Sequence, residues 1–136
     1  MKSYLYHLQI NIDFQNVSFY KDLMAFMGWS VIFEDINVLG YKNSVNGDLW
    51  FVKADHNELS DYDARGVNHI SLRVGTITDV DEVKIYLEKN NVVMLFDTPR
   101  HRPEFASQEN ETYYQIMFES PDKILFEVVY IGLRGK

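Results

Sequence analysis

The sequence contains no cysteine. That excludes disulfide scaffolds, thiolate metal sites and cysteine nucleophiles. It has no apolar run near the ~18–20 residues that a bilayer span requires, so no membrane partner is expected. Its 13 Lys and Arg form no cluster and the net charge is −7. That argues against a nucleic-acid partner, because a phosphate backbone needs concentrated positive charge. The opening MKSYLYHLQI lacks the apolar core and small-residue cleavage site of a signal peptide; a cytoplasmic location is the expectation. What the chain does have is core material. It is 46% hydrophobic and 15% aromatic over 136 residues, enough for one compact domain.

Two stretches carry the organisation. In NHISLRV, residues 68–74, Asn68, Ile70, Leu72 and Val74 share one strand face while His69, Ser71 and Arg73 share the other. In YHLQINI, residues 6–12, Leu8, Ile10 and Ile12 take one face and His7, Gln9 and Asn11 the other. The two histidines are 62 positions apart, and the chain slides onto itself at that offset without a gap. The helical segment from near Val17 falls on the one from near Asp79, and Gly28 falls on Asn90, both at plausible helix ends.

The first helix is expected to start after Asn16 and to bury Phe19, Leu23, Phe26 and Met27. The second is expected to be capped by Thr78, to bury Val80, Val83 and Leu87, and to end at Asn90 or Asn91. Short β segments follow each helix. They are WSVIFED, Val38 to Lys42 and DLWFVKA after an Asn46-Gly47 turn, then VVMLFD, TYYQIMF and ILFEVVYI, the last two joined by Ser120-Pro121-Asp122-Lys123. The reading is β-α-β-β-β twice, with modules of about 1–60 and 61–136. A long polar loop, residues 97–111, is expected to be a mobile lid.

Glu127 is the only charged residue in ILFEVVYI. A carboxylate in such a run is costly to bury unless it is paired or bound to a cation. By strand parity it points away from the helix-packed face, as His7 and His69 do. Two imidazoles and a carboxylate on rigid strands suit one divalent ion: Zn, Ni, Mn, Fe or Co. The plainer alternative is wet strand histidines and a Glu127–Arg73 pair.

The order and spacing of YHLQINIDFQNVSFYKDLMAFMGW, GDLWFV, GVNHISLRV, YLEKNNV and YYQIMFESPDKILFEVVY resemble the vicinal oxygen chelate superfamily of glyoxalases, bleomycin-resistance proteins and ring-cleaving dioxygenases. The resemblance covers nearly the whole chain. It implies an α+β fold of paired βαβββ modules, a curled eight-stranded mixed sheet, and a metal held by His7, His69 and Glu127. It further implies an enzyme of lyase, isomerase, transferase or dioxygenase type, in which the metal acts as a Lewis acid toward two vicinal oxygens of a small substrate. A homodimer is the expected assembly. The alternative it offers is a metal-free protein that sequesters a small molecule or antibiotic.

Two departures narrow the choice. Glyoxalase I-type members carry another metal-binding carboxylate on the last strand of the first module, where DLWFVKA has Trp50 or an apolar neighbour. GDLWFV resembles the fosfomycin thiol transferases, but Gln9 and Met117 stand where those proteins have threonine and tyrosine. Parity in TYYQIMF places Tyr113, Gln115 and Met117 toward the pocket. Trp50, Gln9, Asn11, Ser71 and Arg73 are expected there too. Arg100, with His101 and Arg102, would meet an anionic substrate, and Tyr113 is the candidate for moving a proton.

Overall fold

The computed structural model describes residues 1–45 and 47–135. Asn46 of the expected Asn46-Gly47 turn lies outside the described residues. The chain divides into two units, Met1–Leu59 and Ser60–Lys136.

In the first unit, β1 (His7–Ile12) leads through a 3-10 turn at Phe14–Asn16 into α1 (Val17–Phe26). Then follow β2 (Ser30–Glu34), β3 (Val38–Lys42) and β4 (Asp48–Lys53). The sheet order is β1-β4-β3-β2, with β1 parallel to β4 and the other pairs antiparallel. Alternation along β1 is as expected, with Ile10 and Ile12 buried and His7, Gln9 and Asn11 exposed. Tyr20 of α1 packs on Phe51 of β4 at a centroid distance of 4.6 Å, and Tyr41 meets the same ring edge-on. The helix stripe is Tyr20, Leu23 and Met24, so the expected Phe26 stays exposed. The turn at Phe14–Asn16 sets the helix phase, and sequence periodicity cannot supply that angle. Asn16 sits at the N-cap but makes no side-chain cap bond; Gly28, at φ 77°, takes the left-handed turn after the helix.

The second unit repeats the design. It comprises β5 (His69–Arg73), α2 (Ile77–Lys89), β6 (Arg100–His101), β7 (Glu111–Glu119) and β8 (Leu125–Leu133), with sheet order β5-β8-β7-β6. β5 is parallel to β8, which matches the β1–β4 pairing. Helix α2 buries Val80, Val83 and Leu87 as predicted. Its cap is Thr76, in a reciprocal capping box with Asp79, rather than Thr78. Each threonine stands three positions before an aspartate, but Asp79 reaches back to Thr76 whereas Asp81 accepts from the Tyr114 hydroxyl. Phe118 and Phe126 stack at 5.7 Å in the core of this unit.

One strand is misplaced in the sequence reading. VVMLFD forms only an isolated bridge, Met94 to Phe118. Phe96 and Asp97 then adopt left-handed backbone, at φ 56° and 54°, and reverse the chain. The fourth strand is instead Arg100–His101, inside the expected loop, paired with Gln115 and Tyr114. Thr98 secures this segment: its hydroxyl donates to Leu95 O at 2.7 Å and accepts from Met117 N–H at 3.0 Å. Within the expected lid, Arg100 and His101 are therefore sheet edge. Backbone pairing holds β6, and side-chain hydropathy carries no record of it.

Candidate metal and ligand site

β5 and β8 run parallel with Ser71 opposite Glu127, and β7 lies on the other side of β8 with Met117 opposite Glu127. Three adjacent strands thus present alternate residues to one face. His69 and Ser71 come from β5, Glu127 from β8, and Tyr113, Gln115 and Met117 from β7. A cavity of ≈ 290 Å³ in this unit is lined by His69, Tyr113, Gln115, Met117 and Glu127, with Phe96, Arg102 and Phe105 among its other walls.

Glu127 is 2% exposed. Its Oε1 accepts from the Tyr113 hydroxyl at 2.8 Å. Its Oε2 is buried with no hydrogen-bond partner among the described residues, and Nε2 of His69 stands 3.5 Å away. The tautomer of His69 follows from its neighbours. Asn68 commits its Nδ2 to the Tyr62 carbonyl at 2.7 Å, so its Oδ1 accepts from His69 Nδ1 at 2.8 Å. That leaves the Nε2 lone pair facing a carboxylate oxygen. Two acceptors so placed repel unless a cation or a proton lies between them. Ligands about 2.1 Å from one tetrahedral ion stand about 3.4 Å apart, so the spacing fits a shared divalent metal. The Asn68–His69 and Tyr113–Glu127 bonds are the kind of outer contacts that orient metal ligands.

Burial pushes the Tyr113 phenol up to about 12, reinforced by its bond to the Glu127 carboxylate and opposed by Ser71 and the Arg102 charge. It is a donor at neutral pH.

Of the three expected ligands, the structure brings together His69 and Glu127. His7 is exposed on β1 of the other unit, edge-on to Tyr6 at 5.7 Å. Among the described residues, no group of three His, Cys, Asp or Glu side chains is arranged to hold a metal. Gln9 and Trp50 are paired in the β1–β4 register of the first unit. Trp50 covers Gly40 so closely that a Cβ there would stand 2.7 Å from its ring. Arg73 is exposed and donates to Ile131 O at 2.8 Å, not to Glu127. Arg100 is exposed and does not line the cavity, whereas Arg102 does. Asn68, Phe96 and Phe105 were not picked out from sequence. Asn68 adjoins a candidate ligand, which is a usable signal; the two phenylalanines reach the cavity only through the fold of the loop.

No family model and no curated protein matches the sequence. Solved structures do. A candidate glyoxalase from Bacillus halodurans superposes with a TM-score of 0.77 at 22% identity, covering 95% of this chain and 96% of that one. A lactoylglutathione lyase from Agrobacterium tumefaciens gives 0.67 at 16%, covering 96% and 95%. The fosfomycin resistance protein FosX from Listeria monocytogenes, complexed with Mn(II) and sulfate, gives 0.68 at 21%, covering 96% and 91%. The chain shares the α+β fold of these glyoxalase-type structures. Among the described residues it consists of eight strands in two four-stranded mixed sheets, one in each unit. Among the described residues, no helix is long and apolar enough to cross a membrane.

Proposed function

We propose that the protein is a divalent-metal-dependent enzyme acting on a small oxygen-bearing organic molecule in the cavity of the second unit. The observation that carries this reading is the partnerless Oε2 of Glu127, buried and aimed at Nε2 of His69. A protein seldom leaves a buried carboxylate oxygen unsatisfied without a functional reason. The Listeria neighbour's complex with Mn(II) is in keeping with it.

His69 and Glu127 would hold the ion, which when bound supplies Lewis-acid stabilisation of charge developing on substrate oxygens. Asn68 fixes the imidazole with Nε2 free. Tyr113 stays protonated and orients Glu127, so its proposed part is positioning rather than proton transfer. Phe96 and Phe105 supply apolar walls to the cavity.

Metal analysis by mass spectrometry, on protein purified without added metal or a histidine tag, tests the reading. The parent should carry one ion per chain, and Glu127→Gln should lower affinity sharply. Equal content and affinity in both would overturn it. His7→Ala tests the third ligand expected from sequence. The second reading, a metal-free sequestering protein, draws on the aromatic lining of the cavity. It would place a proton on Nε2 of His69 and predicts no metal in the parent. A homodimer and a cytoplasmic location belong to the proposal too. Exposed Val31, Ile32 and Phe33 on edge strand β2 favour association, and sedimentation giving a single 16.0 kDa species would contradict it.

A further inference from the structure

The cavity holds two groups that neither the metal pair nor the packing uses. Gln115 is 3% exposed and lines the cavity, and its side-chain amide makes no hydrogen bond among the described residues. The amide opens on the cavity and not on a protein partner, so a ligand oxygen seated there can accept from its N–H. Arg102 is the second group. Its backbone N–H donates to Tyr113 O at 2.7 Å, which carries the β6–β7 pairing one step further and sets Arg102 on the side of Tyr113 and Gln115.

The guanidinium of Arg102 is held in place. Its Nε donates to Glu104, and its plane lies over the Phe105 ring at 4.5 Å. The two terminal nitrogens make no hydrogen bond among the described residues. They form a fork of the geometry that takes both oxygens of a carboxylate. Among the residues lining the cavity, Arg102 is the only Lys or Arg, while Asp63 and Glu127 bring negative charge. An anionic group on the ligand therefore has one anchor. Phe96, Phe105 and Tyr113 offer flat apolar walls, and ≈ 290 Å³ admits only a small molecule.

We infer that Arg102 is an anion subsite and that the cavity selects a small planar carboxylate, with the ring against Phe105 and a further oxygen on Gln115. This deepens the proposed function, because it rests on the cavity being the substrate site. It does not depend on the metal. Glu104 is half exposed and solvated, so it orients the guanidinium without cancelling its charge.

The probes are benzoate and its neutral isostere benzamide, titrated calorimetrically into full-length protein stripped by a chelator. Benzoate should bind at least about tenfold more tightly than benzamide. Arg102→Met should abolish that preference while benzamide binding and the melting temperature hold. Arg100→Met, which removes an exposed charge two residues away, should leave the preference intact. Equal binding of the two probes by the parent would overturn the inference. So would the absence of saturable benzoate binding in the millimolar range, or an equal loss in the Arg100 variant. A benzoate preference lost only with Arg102, in a protein that purifies without metal, would uphold the subsite and sink the metal enzyme, so the two failures are distinguishable.

Discussion

The Tyr113 hydroxyl donates a hydrogen bond to one oxygen of Glu127, at 2.8 Å, and so decides which oxygen of that carboxylate remains free. The free one, Oε2, is the one turned to His69. A neutral tyrosine on β7 thereby fixes the direction of a carboxylate on β8. Removing the hydroxyl should let the carboxylate rotate. Tyr113→Phe is predicted to weaken divalent-metal binding by about 10–100-fold, the range typical of outer-shell partners. Calorimetric titration with Mn(II) or Zn(II) measures it, and an unchanged affinity would remove Tyr113 from the site.

Glu127→Gln should separate function from stability. A neutral amide can still accept from Tyr113 and can offer an N–H toward Nε2 of His69. The variant no longer buries a charge with an unsatisfied oxygen. In metal-free protein it is predicted to be more stable than the parent by about 1–3 kcal/mol, though it binds metal poorly. Urea denaturation of both proteins in chelator decides this; a less stable variant would show that the carboxylate is satisfied by a proton on His69.

Alkaline pH should destabilise the second unit through two adjacent tyrosines. Burial pushes Tyr114 up to about 12, and its 2.8 Å bond to Asp81 adds to the rise. Tyr113 is raised to about 12 as well, by burial and then by Glu127. An unfolded tyrosine ionises near ~10. Because the folded values are the higher ones, this stabilisation is complete below ~10 and is lost as pH rises toward 12. Absorbance titration at alkaline pH should show two late-ionising phenols. Tyr114→Phe should remove one of them and flatten the stability loss in that window.

Phe118 stacks on Phe126 with neither ring exposed. Phe118→Ala is predicted to cost about 3–5 kcal/mol by leaving a cavity between α2 and the sheet. Urea midpoints at constant slope give the value, and a cost below about 1 kcal/mol would mean that the site collapses around the gap.

Gly40 is small because Trp50 lies across it. Gly40→Ala should displace the indole, with a shift in tryptophan emission and a loss of stability of about 1–3 kcal/mol from overpacking. An unchanged spectrum would show that the ring has room to move.

Much of this molecule was legible in the chain. Alternation in β1, β5, β7 and β8 identified His69, Glu127, Tyr113, Gln115 and Met117 as partners on one face or another, because a strand's side-chain period is fixed by backbone geometry alone. Tertiary structure decided the rest. The phase of α1 depended on the turn at Phe14–Asn16, so Tyr20 and Met24 are buried instead of Phe26. Strand β6 exists through backbone bonds to β7 that no side-chain pattern encodes. That pairing sets Arg100 and Arg102 on the side of Gln115 and Tyr113, and of the two it is Arg102 that lines the cavity. The free oxygen of Glu127 was beyond sequence as well, since an unsatisfied atom is defined only by what fails to reach it once every neighbour has been placed.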